Sequence, residues 1–152
     1  MDTLGPDLED TVAAELVRLQ RAAYAVEAAL IGDDRIPPLH EGPADLRAAR
    51  LRWFVVREAA GLVAAVGFAE HDGEVDIDRL VVHPSQHRRG LGRRLVERVL
   101  RDAERAVVAT GRDNAPARGL YAALGFDHRG DREVLDGLWV SEYAWSRASP
   151  MP

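Results

Sequence analysis

Cysteine and lysine are both missing from this chain of 152 residues. Without cysteine there is no disulfide, no thiolate metal site and no cysteine nucleophile. Without lysine there is no ε-amino group to act in catalysis or to be acetylated, and all 20 basic residues are arginine. A basic surplus is missing too: the formal net charge is −5. Non-specific nucleic-acid binders usually carry the opposite balance, so nucleic acid is not an expected partner, and a cationic small substrate fits better. No apolar run approaches the roughly 18 residues of a membrane helix, so no membrane partner is expected. Met1 to Asp7 is acidic and lacks the basic start of a signal peptide, which makes the cytoplasm the expected compartment. What remains is an ordinary globular balance, 47% hydrophobic and 30% charged. At this length it implies one domain over residues 1–152 with a real core.

The pattern of apolar residues divides the chain into alternating helices and strands. Val12, Leu16, Leu19, Ala23, Val26 and Leu30 recur at helical spacing from Asp10 to Leu30, with Asp10 or Thr11 as cap and Gly32 as stop. The paired prolines Pro37 and Pro38 force an extended loop. A short helix from Pro43 to Leu51 follows. Trp53 to Glu58, Leu62 to Ala69 and Val75 to Val82 are expected strands, turned near Ala60-Gly61 and at His71-Asp72-Gly73. A helix is expected from Gly90 to about Ala106, with Leu91, Leu95, Val99 and Leu100 on one side. Val107 to Thr110 is short and apolar, as a buried strand is. Pro116 to Leu124 is a helix that Gly125 stops. Asp127 to Arg132 and Leu138 to Ser146 complete the strands. Helices alternating with strands, and hairpins at both ends, make an α/β or α+β class with a mixed sheet between helical layers.

Chemistry concentrates in the segment from Leu80 to Leu95. A buried strand runs into a loop, Arg88-Arg89-Gly90-Leu91-Gly92-Arg93, and the loop opens a helix. Such a helix start presents unpaired N–H groups and the positive end of the dipole, which together cradle phosphate. Gly90 and Gly92 let a phosphate approach the backbone closely, and the arginines add charge. A nucleoside-triphosphate loop needs Lys-Ser/Thr after its last glycine, where Arg93-Arg94 stands. A dinucleotide loop needs a third glycine near 95, where Leu95 stands. Downstream, Asn114 precedes a helix and Tyr121 lies seven residues later, followed by Leu124-Gly125-Phe126. Taken alone, Gly-x-Gly can be a plain turn and Tyr121 a packing residue.

Together, these two constellations resemble the GCN5-related N-acetyltransferase superfamily, with the specific match running from about Asp76 to Asp127. The resemblance implies a mixed, mostly antiparallel sheet with a central splayed strand pair and helices on both faces. It implies acetyl-CoA as cosubstrate and no metal. Leu80, Val81 and Val82 would offer backbone contacts to the thioester and pantetheine. Arg88, Arg89, Gly90, Leu91, Gly92 and Arg93 would take the pyrophosphate, Asn114 would touch CoA, and Tyr121 would act as general acid. His87 departs from the Gln or Arg usual three residues before the first glycine. No strand is evident before the long helix, although the family usually begins with one.

Acetyl transfer to an amine needs a proton acceptor. Asp76 and Asp78 share a strand face, and Asp76 falls where one branch of the superfamily carries a catalytic glutamate. Its shorter side chain implies a water relay. A second branch carries its glutamate where Ala109 stands. Glu70 and His71 are weaker candidates, and His83 beside Pro84 is read as a structural residue. The expected acceptor is a primary amine of a small molecule or peptide, held by the N-terminal helices. Glu27, Asp33, Asp34, Glu41 and Asp45 are acidic there, and Tyr24, Trp53, Trp139 and Tyr143 either line a pocket or pack the core. With no cysteine for an acetyl-enzyme, direct transfer is expected. The alternative is a CoA-binding sensor without turnover. A homodimer is the base-rate expectation.

Overall fold

Hairpin turns build most of the sheet. In the computed structural model, which describes residues 1–87 and 89–147, Arg52–Glu58 (β2), Gly61–His71 (β3) and Glu74–Val82 (β4) form a meander of antiparallel neighbours. Asp72 and Gly73 turn the second hairpin, both at positive φ. A strand does precede the long helix: Asp2–Leu4 (β1) pairs antiparallel with β2, Asp2 opposite Val55 and Leu4 opposite Trp53. Three residues are too few to show an alternating pattern, so only the partner strand reveals it.

The long helix α1 runs Asp10–Ile31 and ends at Gly32 in the left-handed conformation, whose N–H bonds back to Ala28. Its N-cap is Glu9, not Asp10 or Thr11, and the Glu9 carbonyl takes the first helical bond, from Ala13 N–H at 2.9 Å. A 3-10 turn at Pro37–His40 and the short helix α2, Pro43–Ala48, follow. After β4 and a second 3-10 turn at Pro84–Gln86 come Leu91–Arg101 (α3), Arg105–Gly111 (β5) and Ala115–Ala123 (α4). Asp127–Leu135 (β6) and Leu138–Ser146 (β7) close the described chain. α3 is shorter than its periodicity suggests. Glu104 and Arg105 give their N–H groups to Gly73 O, and Arg105 and Ala106 pair with Ser146 and Trp145, so the sheet claims residues that look helical in isolation.

The seven strands lie in the order β1-β2-β3-β4-β5-β7-β6, all antiparallel neighbours except β4 and β5. That parallel pair is joined only from Glu74 opposite Arg105 to Ile77 opposite Val108. Beyond it, Asp78–Val82 and Ala109–Gly111 diverge, and β5 stays bound to β7 as far as Gly111. The central pair is therefore splayed, and helices cover both faces. One core joins Leu16 and Leu19 of α1 and Leu46 of α2 to Trp53, Val55 and Val81. The other joins Leu91, Leu95 and Val99 of α3 and Tyr121 of α4 to Phe54, Val66 and Ile77.

One irregularity decides which side chains of β4 face which core. Gly67 pairs with Arg79 but Phe68 pairs with Ile77, so Asp78 is an extra residue. A bulge of this kind restarts the alternation. Val75 and Ile77 face α3 before it, and Leu80 and Val82 face the same core after it. Arg79 and Val81 are sent to the α1 side.

Candidate functional site

The Gly90 loop meets the open end of the splay. Gly90 has φ 72 and forms the N-cap of α3, and the first helical bond closes from Arg94 N–H to Gly90 O at 3.1 Å. The N–H groups of Leu91, Gly92 and Arg93 thus precede the helix's own bonding pattern. They border a cleft of about 490 Å³. Its walls include Tyr24 and Glu27 of α1, Leu80 and Val82 of β4, His87, Gly90, Leu91, Gly92 and Arg93 of the loop, and Asn114 and Leu120 beside α4. A Cβ added at Gly92 would lie 3.6 Å from Leu80 and 3.7 Å from Leu120 and Val82, so this glycine marks where backbone comes close to the cleft lining.

A second cavity of about 210 Å³ opens between the diverging strands. Asp78, Arg79 and Leu80 border it from β4, Val108 to Gly111 from β5, Tyr121 from α4, and Pro37 and Pro38 from the proline loop. Tyr24, Glu27, Leu80, Asn114 and Ala117 line both cavities, so the two meet along these residues.

The residues singled out in the sequence separate into groups. Leu80, Val82, Gly90, Leu91, Gly92, Arg93 and Asn114 come together around the first cleft, and Tyr121 borders the second cavity. Val81 points into the α1 core and lines neither. Arg89 lies outside both linings, its guanidinium 2.9 Å from Glu58. Arg93 is half exposed, with Glu97 at 3.5 Å. Arg88 lies outside the described residues. Asp76 sits in the joined part of β4, opposite Val107, and lines neither cavity. Burial first, then the charges of Asp78 and Glu74, hold its carboxyl above the usual range. His83 caps the 3-10 turn: its Nδ1 accepts from Ser85 N–H at 3.1 Å.

Asn114 caps α4, its side-chain oxygen accepting from Ala117 N–H at 3.2 Å. Tyr121 is 3% exposed and packs its ring 5.3 Å from Phe126 and 6.1 Å from Tyr143. Burial, and then the charge of Glu27, push its hydroxyl well above the usual tyrosine range. It stays protonated at neutral pH, the state a proton donor requires. Tyr24 is raised for the same first two reasons.

A family model described as the Acetyltransferase (GNAT) family matches residues 14–126. The chain belongs to the GNAT family. The UPF0157 protein YqkA of Bacillus subtilis (strain 168) is 35% identical over 138 residues, 89% of this chain. The chain spans 40% of that relative's length. The ribosomal-protein-S18-alanine N-acetyltransferase of Escherichia coli superposes with a TM-score of 0.73 at 20% identity, over 97% of this chain and 96% of that one. The yncA protein of Salmonella typhimurium, solved with its cofactor acetyl-CoA, gives 0.69 at 17% identity over 99% and 98%. Identities this low establish the GNAT fold and leave chemistry to the site itself.

Within that fold, the acidic N-terminal residues have separate fates. Arg35 binds Asp33 and holds its carboxyl down to about 2. Glu41 pairs with Arg79, and Asp45 accepts from Gly42 N–H at 2.9 Å. Among the described residues, Glu27 alone of these acids borders both cavities. Of the aromatic candidates, Tyr24 lines both cavities. Trp53 is buried in the α1 core, Trp139 stacks under Arg112 at 4.9 Å, and Tyr143 accepts from Arg118 Nε at 2.9 Å. Arg79, 6% exposed, drew no attention in the sequence. A lone arginine in a strand gives no signal until the bulge shows which side it takes.

Proposed function

We propose that this GNAT protein is an acetyl-CoA-dependent N-acetyltransferase that moves an acetyl group directly to a primary amine of a small molecule or peptide. The observation that carries this is the junction of two cavities. A long cleft begins at a helix N-terminus suited to pyrophosphate and meets a second cavity in the gap between β4 and β5.

The amides of Leu91, Gly92 and Arg93 would hold the pyrophosphate, with the Arg93 side chain supplying charge beside it. Leu80 to Val82 have no β5 partner to bond, so their backbone groups would serve the pantetheine and the developing oxyanion. Asn114 would touch CoA from the far wall. Acetyl-CoA supplies the thioester. Tyr121, at the second cavity, would give its proton to the sulfur as the C–S bond breaks. Asp76 would reach an amine only through water.

An acceptor screen that follows CoA thiol release tests this proposal. Steady release that depends on an amine is expected, and Tyr121→Phe is expected to slow it at every pH. Unchanged turnover in that variant would remove the acid assignment. A second reading, CoA binding without turnover, has its own support: Ala109 borders the second cavity and offers no carboxylate. Calorimetric CoA binding with no thiol release from any amine would favour it.

A further inference from the structure

The acceptor's chemical class, and the group that takes its proton, follow from how charge is distributed in the second cavity. Among the described residues, two acids line it, Glu27 and Asp78. Asp78 is committed, with Arg79 Nη2 at 2.7 Å. Arg79 is in turn committed to Glu41 and to the side-chain oxygen of Gln20, at 3.2 Å from the latter. Glu27 has no ion-pair partner among the described residues. Its neighbours are the Asn114 amide and the Gly111 backbone N–H, which favour its charged form, while burial disfavours it more strongly and raises its pKa. The rest of the cavity is largely aliphatic: Ile31, Ile36, Pro37, Val134, Leu138 and Val140 form much of its wall. Such a wall offers no second anion to a second positive charge.

Resting on the acetyl-transfer reading above, we propose that Glu27 holds and deprotonates the ammonium of a singly charged amine whose carbon skeleton lies against this aliphatic wall. Glu27 stands at the line where the two cavities meet, the place where an amine nitrogen must approach a thioester. Its carboxylate accepts one proton from the ammonium. The free nitrogen pair forms the C–N bond to the acetyl carbon, the C–S bond breaks with its electrons on sulfur, and Tyr121 supplies the sulfur's proton. The second nitrogen proton returns through water to Tyr121, and Glu27 releases its proton to solvent, so the products are the amide, the CoA thiol and one proton. Polyamines fit poorly because their further ammonium groups would face Arg79 or aliphatic carbon. The ionisable or charged groups around Glu27 are Tyr24 on its own helix, Asp78 and Arg79 on β4, Tyr121 on α4, and His87 and Arg93 across the cleft.

The test uses isoamylamine and leucinamide as singly charged probes and spermidine as the polyamine, on the full chain and on Glu27→Gln and Glu27→Asp. CoA thiol release gives kcat/KM, and calorimetry gives affinity for CoA and for each amine on the CoA-loaded protein, which cannot turn over. The single-charge probes should outperform spermidine at least tenfold. Glu27→Gln should lower kcat/KM about 100-fold, weaken amine binding on the CoA-loaded protein about tenfold, and leave CoA affinity within twofold. The wild-type rate should fall on the acid side as Glu27 protonates, an inflection the Gln variant lacks and the Asp variant keeps. A preference for spermidine, or a Gln variant with unchanged amine affinity and acid limb, overturns the proposal. Amine binding that depends on Glu27 in a protein without CoA affinity would instead sink the acetyl-CoA reading and leave the Glu27 contact standing.

Discussion

Arg79 of β4 and Glu41 of the loop before α2 form an ion pair beneath the sheet, 38 residues apart in the chain. Gln20 of α1 completes it, giving its amide hydrogens to Pro38 O at 2.8 Å and to Glu41 at 3.1 Å. Helix, proline loop and strand are thus tied at one buried point, and Pro37 and Pro38 are held as a wall of the second cavity. Removing Glu41 leaves a buried guanidinium with Asp78 and Gln20 as its remaining partners. Glu41→Ala is expected to cost about 2–3 kcal/mol in denaturant unfolding, and to raise the KM for the acceptor more than that for acetyl-CoA.

The carboxyl of Glu27 behaves in the opposite sense. Burial raises its folded pKa above the unfolded value. Between those two values the folded state binds more protons than the unfolded state, so stability falls as pH rises through the window. Glu27→Gln should therefore raise Tm at neutral pH. The gain should shrink as the pH falls below the folded pKa, where wild-type Glu27 is protonated too. Thermal melts of both proteins across pH check this, and a Gln variant less stable than wild type at pH 7 would contradict it.

Gly67 is closely covered. A Cβ there would stand 2.9 Å from the fully buried Trp53 ring and 3.1 Å from Leu51. Neither neighbour can retreat in a packed core, so Gly67→Ala should cost about 2 kcal/mol. Gly119, exposed within α4, has open space around it. Gly119→Ala should stabilise the chain by about 0.5–1 kcal/mol. Chemical denaturation of the two variants side by side measures both signs.

The two loop glycines should part company under substitution. Gly90 has open space but sits at φ 72, so Gly90→Ala carries backbone strain of about 1 kcal/mol. Gly92 lies within α3, where a Cβ makes only ordinary contacts. Gly92→Ala should leave Tm near wild type and still weaken acetyl-CoA binding, because the methyl group faces the cleft. Melts and calorimetry on the same two proteins separate strain from obstruction.

Much of this architecture can be read locally. Apolar runs mark β2 and β3, alternation marks the start of β4, a turn with glycine marks each hairpin, and the Gly90 loop announces itself by composition. β1 cannot be found this way, because three residues carry no periodicity. The end of α3 and the start of β5 cannot either, because Ala103 and Arg105 suit both states until Gly73 and β7 supply partners. The first cleft is legible because one continuous segment, Leu80 to Arg93, builds half of it. The second cavity is not, because its walls come from Tyr24, Pro37, Ala109, Tyr121 and Leu138, which meet only after the layers dock. Glu27 appears in the sequence as one surface acid among several, and what sets it apart is that the docked layers place it along both cavities.

The extra residue at Asp78 has a genetic consequence. Every residue of β4 after it owes its facing to a count, not to its own side chain. Replacing Asp78 keeps the count. Deleting it would leave Ile77 opposite Phe68 and Arg79 opposite Gly67 in an unbroken ladder, with Arg79, Leu80 and Val82 facing as they do now. A one-codon insertion beside it would instead turn Arg79 toward the aliphatic core under α3 and swing Leu80 and Val82 away from the cleft, so among homologues the stretch from Ile77 to Leu80 should tolerate the loss of one residue better than a gain.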